Sequence, residues 1–102
     1  MGVDVILHDA AGREFEKIGD PQNRIARMIP KLNDPRFHYL NRVDPYGDAW
    51  FNRWQAADIL KEWDILATDS YDLESCELHG KVRSLLVRVS KSNNLYLRFS
   101  GD

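Results

Sequence analysis

Three histidines, one cysteine and the aspartates around a proline-glycine turn are the side chains of this 102-residue chain whose types carry chemistry. His8, His38 and His79 stand far apart, and none has another His, Cys or carboxylate at a spacing that closes a metal site. Each is read as a surface or strand-edge imidazole. Cys76 has no neighbouring base to hold it as a thiolate and is read as an inert, buried or half-buried thiol. Asp44 and Asp48 bracket Pro45-Tyr46-Gly47. An EF-hand would need oxygen ligands at alternate positions and a closing Glu, so the two carboxylates are assigned to turn-stabilising bonds instead. Gly12, Gly19, Gly47 and Gly80 stand singly, which excludes a glycine-rich phosphate loop. No catalytic, cofactor or metal residue is assigned. An enzyme working through Asp44, Asp48 or a histidine is the third alternative, and it requires a concave pocket around a strongly perturbed titratable group.

The more discriminating signal is charge and aromatic placement. Asp58, Glu62, Asp64, Asp69, Asp72, Glu74 and Glu77 face only Lys61 between residues 58 and 78, a local balance of −6. Residues 79–102 carry five bases against Asp102, or +4, and residues 13–42 carry +3, so the bland net charge of −2 hides a polar division. Clustered carboxylates speed encounter with a basic partner, and neighbouring aromatics supply the anchors that hold it. Tyr46, Trp50, Trp54, Trp63 and Tyr71 lie in or beside the acidic stretch. Three tryptophans within residues 50–63 exceed what one small core needs, so Trp54 or Tyr46 is expected to be partly exposed. A solvated helix face is the competing explanation of the acids. The basic C-terminal residues complement a helix dipole as well as they would nucleic acid, and the overall acidity weighs against phosphate binding.

These residues need elements to position them. Val3, Val5 and Leu7 alternate with Asp4, Ile6 and His8, which predicts a strand. Asp9 to Gly12 turns it into a second strand over Glu14 to Ile18. Asp20-Pro21 starts a short helix carrying Ile25, Met28 and Ile29, and Pro30 ends it. Residues 31–36, with Asn33-Asp34-Pro35, form a loop. Phe37 to Val43 is read as a strand, with Ala49 to Asn52 pairing back on it across a turn in which Pro45 fixes φ and Gly47 is free to turn left-handed. A helix from Arg53 or Gln55 to Leu66 buries Ala56, Ile59, Leu60, Trp63 and Leu66. A longer helix from Asp72 to about Lys91 buries Leu78, Val82, Leu85, Leu86 and Val89, and Leu95 to Phe99 closes the sheet. The expectation is a single α+β domain over residues 1–102, with a mainly antiparallel sheet of about five strands packed against two to three helices.

Asp44-Pro45-Tyr46-Gly47-Asp48-Ala49-Trp50-Phe51-Asn52, followed by Gln55, resembles a family of small uncharacterised bacterial proteins with an Asp-Pro-Tyr-Gly-Asp, two residues, Phe-Asn signature. The opening Met-Gly-Val-Asp-Val-Ile-Leu and the ending Asn94-Leu95-Tyr96-Leu97-Arg98-Phe99-Ser100-Gly101-Asp102 resemble it too, so the likeness covers essentially the full chain. It implies a bacterial, compact, stand-alone protein and no established activity, cofactor or catalytic set. Trp50 and Trp54 stand where smaller aliphatic residues are expected of that family.

Length and composition agree with one modest core: 43% hydrophobic, 11% aromatic and 29% charged residues. No apolar run is long enough for a transmembrane helix, and the acidic opening residues predict no secretory leader. One cysteine cannot form an internal disulfide, which suits the cytoplasm. The function expected is therefore non-catalytic protein binding. Its concrete form is an immunity-type antitoxin that covers a basic bacterial effector through an acidic, aromatic-flanked face. Tyr46, Asp48, Trp54, Asp58, Glu62, Asp64, Asp69 and Asp72 are the binding residues expected. No cofactor, membrane or nucleic-acid partner is expected. The alternative is a structural or regulatory protein that homodimerises.

Overall fold

The period-two alternation at the N-terminus builds β1 (Val3–Asp9), which turns through Asp9–Gly12 into β2 (Glu14–Ile18). Asp9 makes that turn: its carboxylate accepts from the amides of Ala11 and Arg13 at 3.0 and 2.9 Å, and Gly12 supplies a φ of +86°. An L side chain rarely adopts that angle. This computed structural model describes residues 2–30, 34–44, 46–66 and 68–101. Asn33 of the expected loop and Pro45 of the expected turn lie outside them.

Asp20 starts the first helix as its type predicts, at longer range than a simple cap. Its carboxylate accepts from Ile25 N at 2.6 Å and Ala26 N at 2.9 Å, and also from Val3 N at 2.8 Å. One side chain thus fastens the start of β1 to α1 (Arg24–Met28) through a 3-10 turn over Pro21–Asn23. β3 (Asp48–Phe51) leads into α2 (Arg53–Ile65), whose first turn is closed by a reciprocal pair. Asn52 Oδ1 accepts from Gln55 N and Gln55 Oε1 accepts from Asn52 N, both at 2.9 Å. α3 (Leu73–Ser90) begins at Asp72, whose carboxylate accepts from Ser75 N, and β4 (Leu95–Gly101) completes the chain's elements.

Among the described residues the sheet has four strands, all antiparallel, in the order β2-β1-β4-β3. Three expectations fall here. Phe37 to Val43 is not a strand: it is a turn followed by a 3-10 helix over Leu40–Arg42, so the sheet has four strands rather than five. Its backbone donors go to a helix side chain instead of a neighbouring strand. The amides of His38, Tyr39 and Leu40 all donate to the carboxylate of Glu62 on α2, at 3.0–3.2 Å. The buried residues are Phe37, Leu40 and Val43, a spacing of three that matches a 3-10 turn and not a strand. Consequently β3 pairs with β4, Trp50 opposite Arg98 and Phe51 opposite Leu97, and not with the segment before it. Gly47 is not left-handed either; a side chain there would meet the Asp44 carboxylate at 3.1 Å.

One face of the sheet carries the core. Val3, Val5, Leu7, Leu97, Phe99 and Phe51 point into a layer of helices that contributes Ile25, Ala56, Ile59, Trp63, Val82, Leu85, Leu86 and Val89. α2 and α3 are also joined by a reciprocal pair, Trp63 Nε1 donating to His79 O and His79 Nε2 to Trp63 O, each at 3.0 Å, with the two rings stacked.

Candidate functional site

Seven of the eight residues expected to bind a partner separate into two groups, and Asp69, in the 3-10 turn over Thr68–Ser70, belongs to neither. Glu62 leaves the surface altogether: it is 6% exposed, and its carboxylate is spent on the three amides of residues 38–40. A carboxylate on the core-facing side of a helix next to chain that lacks a strand partner is the local reason. Asp64 is bound in a two-point ion pair by Arg83 on α3, at 2.9 and 3.2 Å, which holds the guanidinium pKa above its ordinary value. Asp72 caps α3 and pairs with Arg24 of α1, which Glu74 also binds at 2.8 Å. The Ser75 hydrogen bonds, with Arg24 beside them, pull the Asp72 carboxyl down to about 2. These acids fasten helices to one another, so the stretch between residues 58 and 78 is not one continuous acidic face. Asp58, Asp69 and Glu77 have no cation partner among the described residues.

Tyr46, Asp48, Trp54 and Asp58 form the second group, gathered along the β3 edge of the sheet and the first turns of α2. Tyr46 is 65% exposed and Trp54 66%, as expected of them, whereas Trp63 is fully buried. Trp54, Asp58, Lys61 and Ile65 recur at i, i+4, i+7 and i+11, which sets them along one solvent-facing ridge of α2. Arg53 lies over the Trp54 ring, 4.4 Å from its centroid, and donates to Asn93 in the turn before β4. Beside the ridge runs a shallow groove of about 390 Å³ bounded by Arg36, His38, Tyr39, Asp58, Lys61 and Ile65. Tyr39 Oη donates to Asp58 across it at 3.4 Å. Ridge and groove together give two apolar ends, Trp54 and Ile65, with hydrogen-bonding groups between.

Asp44 accepts from Tyr46 N at 2.8 Å, the turn bond its type predicts, and Asp48 Oδ1 accepts from Ser100 Oγ at 2.7 Å. A separate depression of about 380 Å³ between Val3, Ala26, Ile29, Pro30 and Val43 has a largely apolar lining with Arg42 and Asp44 at its rim. Cys76 is exposed rather than buried, because it falls on the outer side of α3 one position away from the Leu78-Val82 stripe.

The residues that reading in one dimension missed lie on the other face of the sheet, which no helix covers among the described residues. Cross-strand register brings Asp4, Ile6 and His8 of β1 beside Ser100, Arg98 and Tyr96 of β4, with Trp50 and Asp48 of β3 next in line. His8 is 1% exposed, not a surface residue. Its ring stacks on Tyr96 at 5.9 Å and meets Trp50 edge-on at 4.4 Å. Nδ1 lies 2.8 Å from Asp9 O and donates to it, and Nε2 is buried without a hydrogen-bond partner among the described residues. Arg98 lies over Trp50 at 5.6 Å, and its Nε is likewise buried without an acceptor. A β-bulge between Leu7 and His8 distorts the pairing with β2 at this point.

Among the described residues no helix is long and apolar enough to cross a membrane. The chain matches no protein-family model, and neither the curated proteins nor the solved structures contain a match to it.

Proposed function

We propose that the chain is a non-catalytic protein-binding module, and that its concrete form is an immunity-type antitoxin covering a basic bacterial effector in the cytoplasm. The observation that carries this reading is the exposure of two large aromatics, Tyr46 and Trp54, within nine residues at the β3–α2 junction. Burying such rings costs little side-chain entropy and removes much apolar surface from water, which is why aromatics dominate binding hot spots. Trp54 anchors and Tyr46 flanks. Asp58, one turn along the ridge, supplies the carboxylate, with Asp69 and Glu77 steering at longer range. Glu62, Asp64 and Asp72 are left out of the contact, since each is already engaged within the fold.

Affinity capture from a lysate of the source organism, washed at rising salt, tests the reading. The expected result is a basic protein retained by the wild type, released progressively by salt, and lost on Asp58→Lys while the circular dichroism spectrum is unchanged. Capture of no basic protein overturns it and leaves the structural or regulatory homodimer.

A further inference from the structure

The helix-free face of the sheet is a second surface, and its chemistry differs from that of the Trp54 ridge. Its centre is apolar and aromatic: Ile6 and His8 are buried, His8 against the Trp50 and Tyr96 rings, and Trp50 remains 50% exposed. Around that centre stand three carboxylates, Asp4, Asp48 and, opposite His8 on the β2 edge, Glu14, with two cations, Lys17 and Arg98. Lys17 pairs with Asp4 at 3.5 Å, which leaves Arg98 and Asp48 as neighbours on β4 and β3 and Glu14 at the far edge of the sheet. Arg98 rests on Trp50 with no carboxylate partner among the described residues. Asp48 is exposed, and Ser100 Oγ draws its carboxylate toward β4, the strand that carries Arg98. The two groups sit on successive same-face rungs, Arg98 opposite Trp50 and Asp48 opposite Ser100, about 7 Å apart along the strands.

We propose that this face is the contact between two copies of the chain, packed sheet to sheet about a two-fold axis that crosses the strands between those rungs. Such an axis exchanges the two rungs, so each Arg98 meets the Asp48–Ser100 rung of the second copy, both charges are satisfied twice, and Trp50 is closed against the opposing sheet. A two-fold contact must be self-complementary, and the β3–β4 half of this face, with the cation of Arg98 beside the carboxylate of Asp48, meets that demand. It fits nucleic acid less well, because Asp4 and Asp48 lie where phosphates would run. Four strands at about 4.8 Å spacing and up to seven residues long cover roughly 400 Å² per copy. That is about 800 Å² in total, less than the roughly 1,000 Å² a stable interface clears, so the dimer is weak and transient. The surface uses none of Tyr46, Trp54 and Asp58, and the inference stands apart from the function proposed above.

Sedimentation equilibrium of the full chain from about 10 μM to about 1 mM tests it. The wild type is expected to pass from monomer to dimer across that range. Arg98→Glu and Asp48→Arg each set like charges together twice, and each is expected to weaken association at least tenfold. Mixing the two variants restores opposite charges at both contacts, so the mixture is expected to dimerise where neither variant does alone. Trp50→Glu, at a half-exposed edge position, tests the same surface should Arg98→Glu fail to fold, and it too is expected to stay monomeric. A wild type that stays monomeric throughout overturns the inference and frees the face for a different protein, or for nucleic acid if a labelled oligouridylate is retained. Folded variants that dimerise like the wild type, or a mixture that stays monomeric, also overturn it.

Discussion

The two sides of the sheet are made from the same strands, with alternate residues assigned to each, yet they end in opposite states. On the covered side, Val3, Val5, Leu7, Leu97 and Phe99 are sealed under α2 and α3 with no exposure. On the open side, Ile6 and His8 are buried as well, His8 against the Trp50 and Tyr96 rings, and among the described residues His8 Nε2 and Arg98 Nε are buried without hydrogen-bond partners. Buried polar atoms left unpaired are uncommon in a finished core. The difference shows that side-chain burial alone does not mark a finished core: the covered side is closed by elements, the open side by side chains that a partner can rearrange.

The comparison breaks first at Phe99. Phe99→Ala empties a fully buried ring site on the covered side and is expected to cost about 3–5 kcal/mol in urea unfolding. Trp50→Ala, on the open side of the neighbouring strand, is expected to cost less than about 1 kcal/mol if that side is unfinished surface. Equal losses at the two positions would make the open side core. Glu62→Ala sharpens the same boundary, because the carboxylate holds residues 38–40, and with them the buried Leu40, onto the covered layer. Three amides lose a charged acceptor, and an expected loss of about 3 kcal/mol follows, visible as a lowered unfolding midpoint.

Asp72 gives a smaller, pH-dependent effect on the helices of that layer. Its carboxyl is held near 2 in the folded chain against an ordinary 3.8, so ionised Asp72 favours the folded state. The sign follows from linkage: the stabilisation is complete above the unfolded value and is lost as pH falls through the folded one. Between about pH 4 and pH 2, wild-type stability is expected to fall more steeply than that of Asp72→Asn, which caps the helix without titrating. Parallel acid unfolding curves would assign the acid sensitivity to other carboxylates.

Local chemistry made most of the covered side legible. Asp20 before Pro21, the period-two strands and the Leu78-Val82-Leu85-Val89 stripe each state their element within a few residues. Phe37 to Val43 misled because it alternates like a strand, while the group that claims its amides, Glu62, lies more than twenty residues away. Glu62 itself reads as one more surface acid until that partner is known. Similarly, Asp64 and Asp72 look free because Arg83 and Arg24 reach them from other helices. The open-face group was unreadable for a related reason. His8, Trp50 and Arg98 meet only through the β1–β4 and β3–β4 registers, which no local pattern specifies. Tyr46 and Trp54 were legible because an excess of large rings beside a short core implies that some stay outside.

We propose that those outside rings serve a partner and not the fold. Trp54→Ala tests it most directly, with urea unfolding and affinity capture measured on the same preparation. Stability within about 0.5 kcal/mol of wild type, together with loss of the captured basic protein, is the predicted result. A loss of several kcal/mol would place Trp54 in the core, and a folded variant that still captures the protein would remove it from the binding surface.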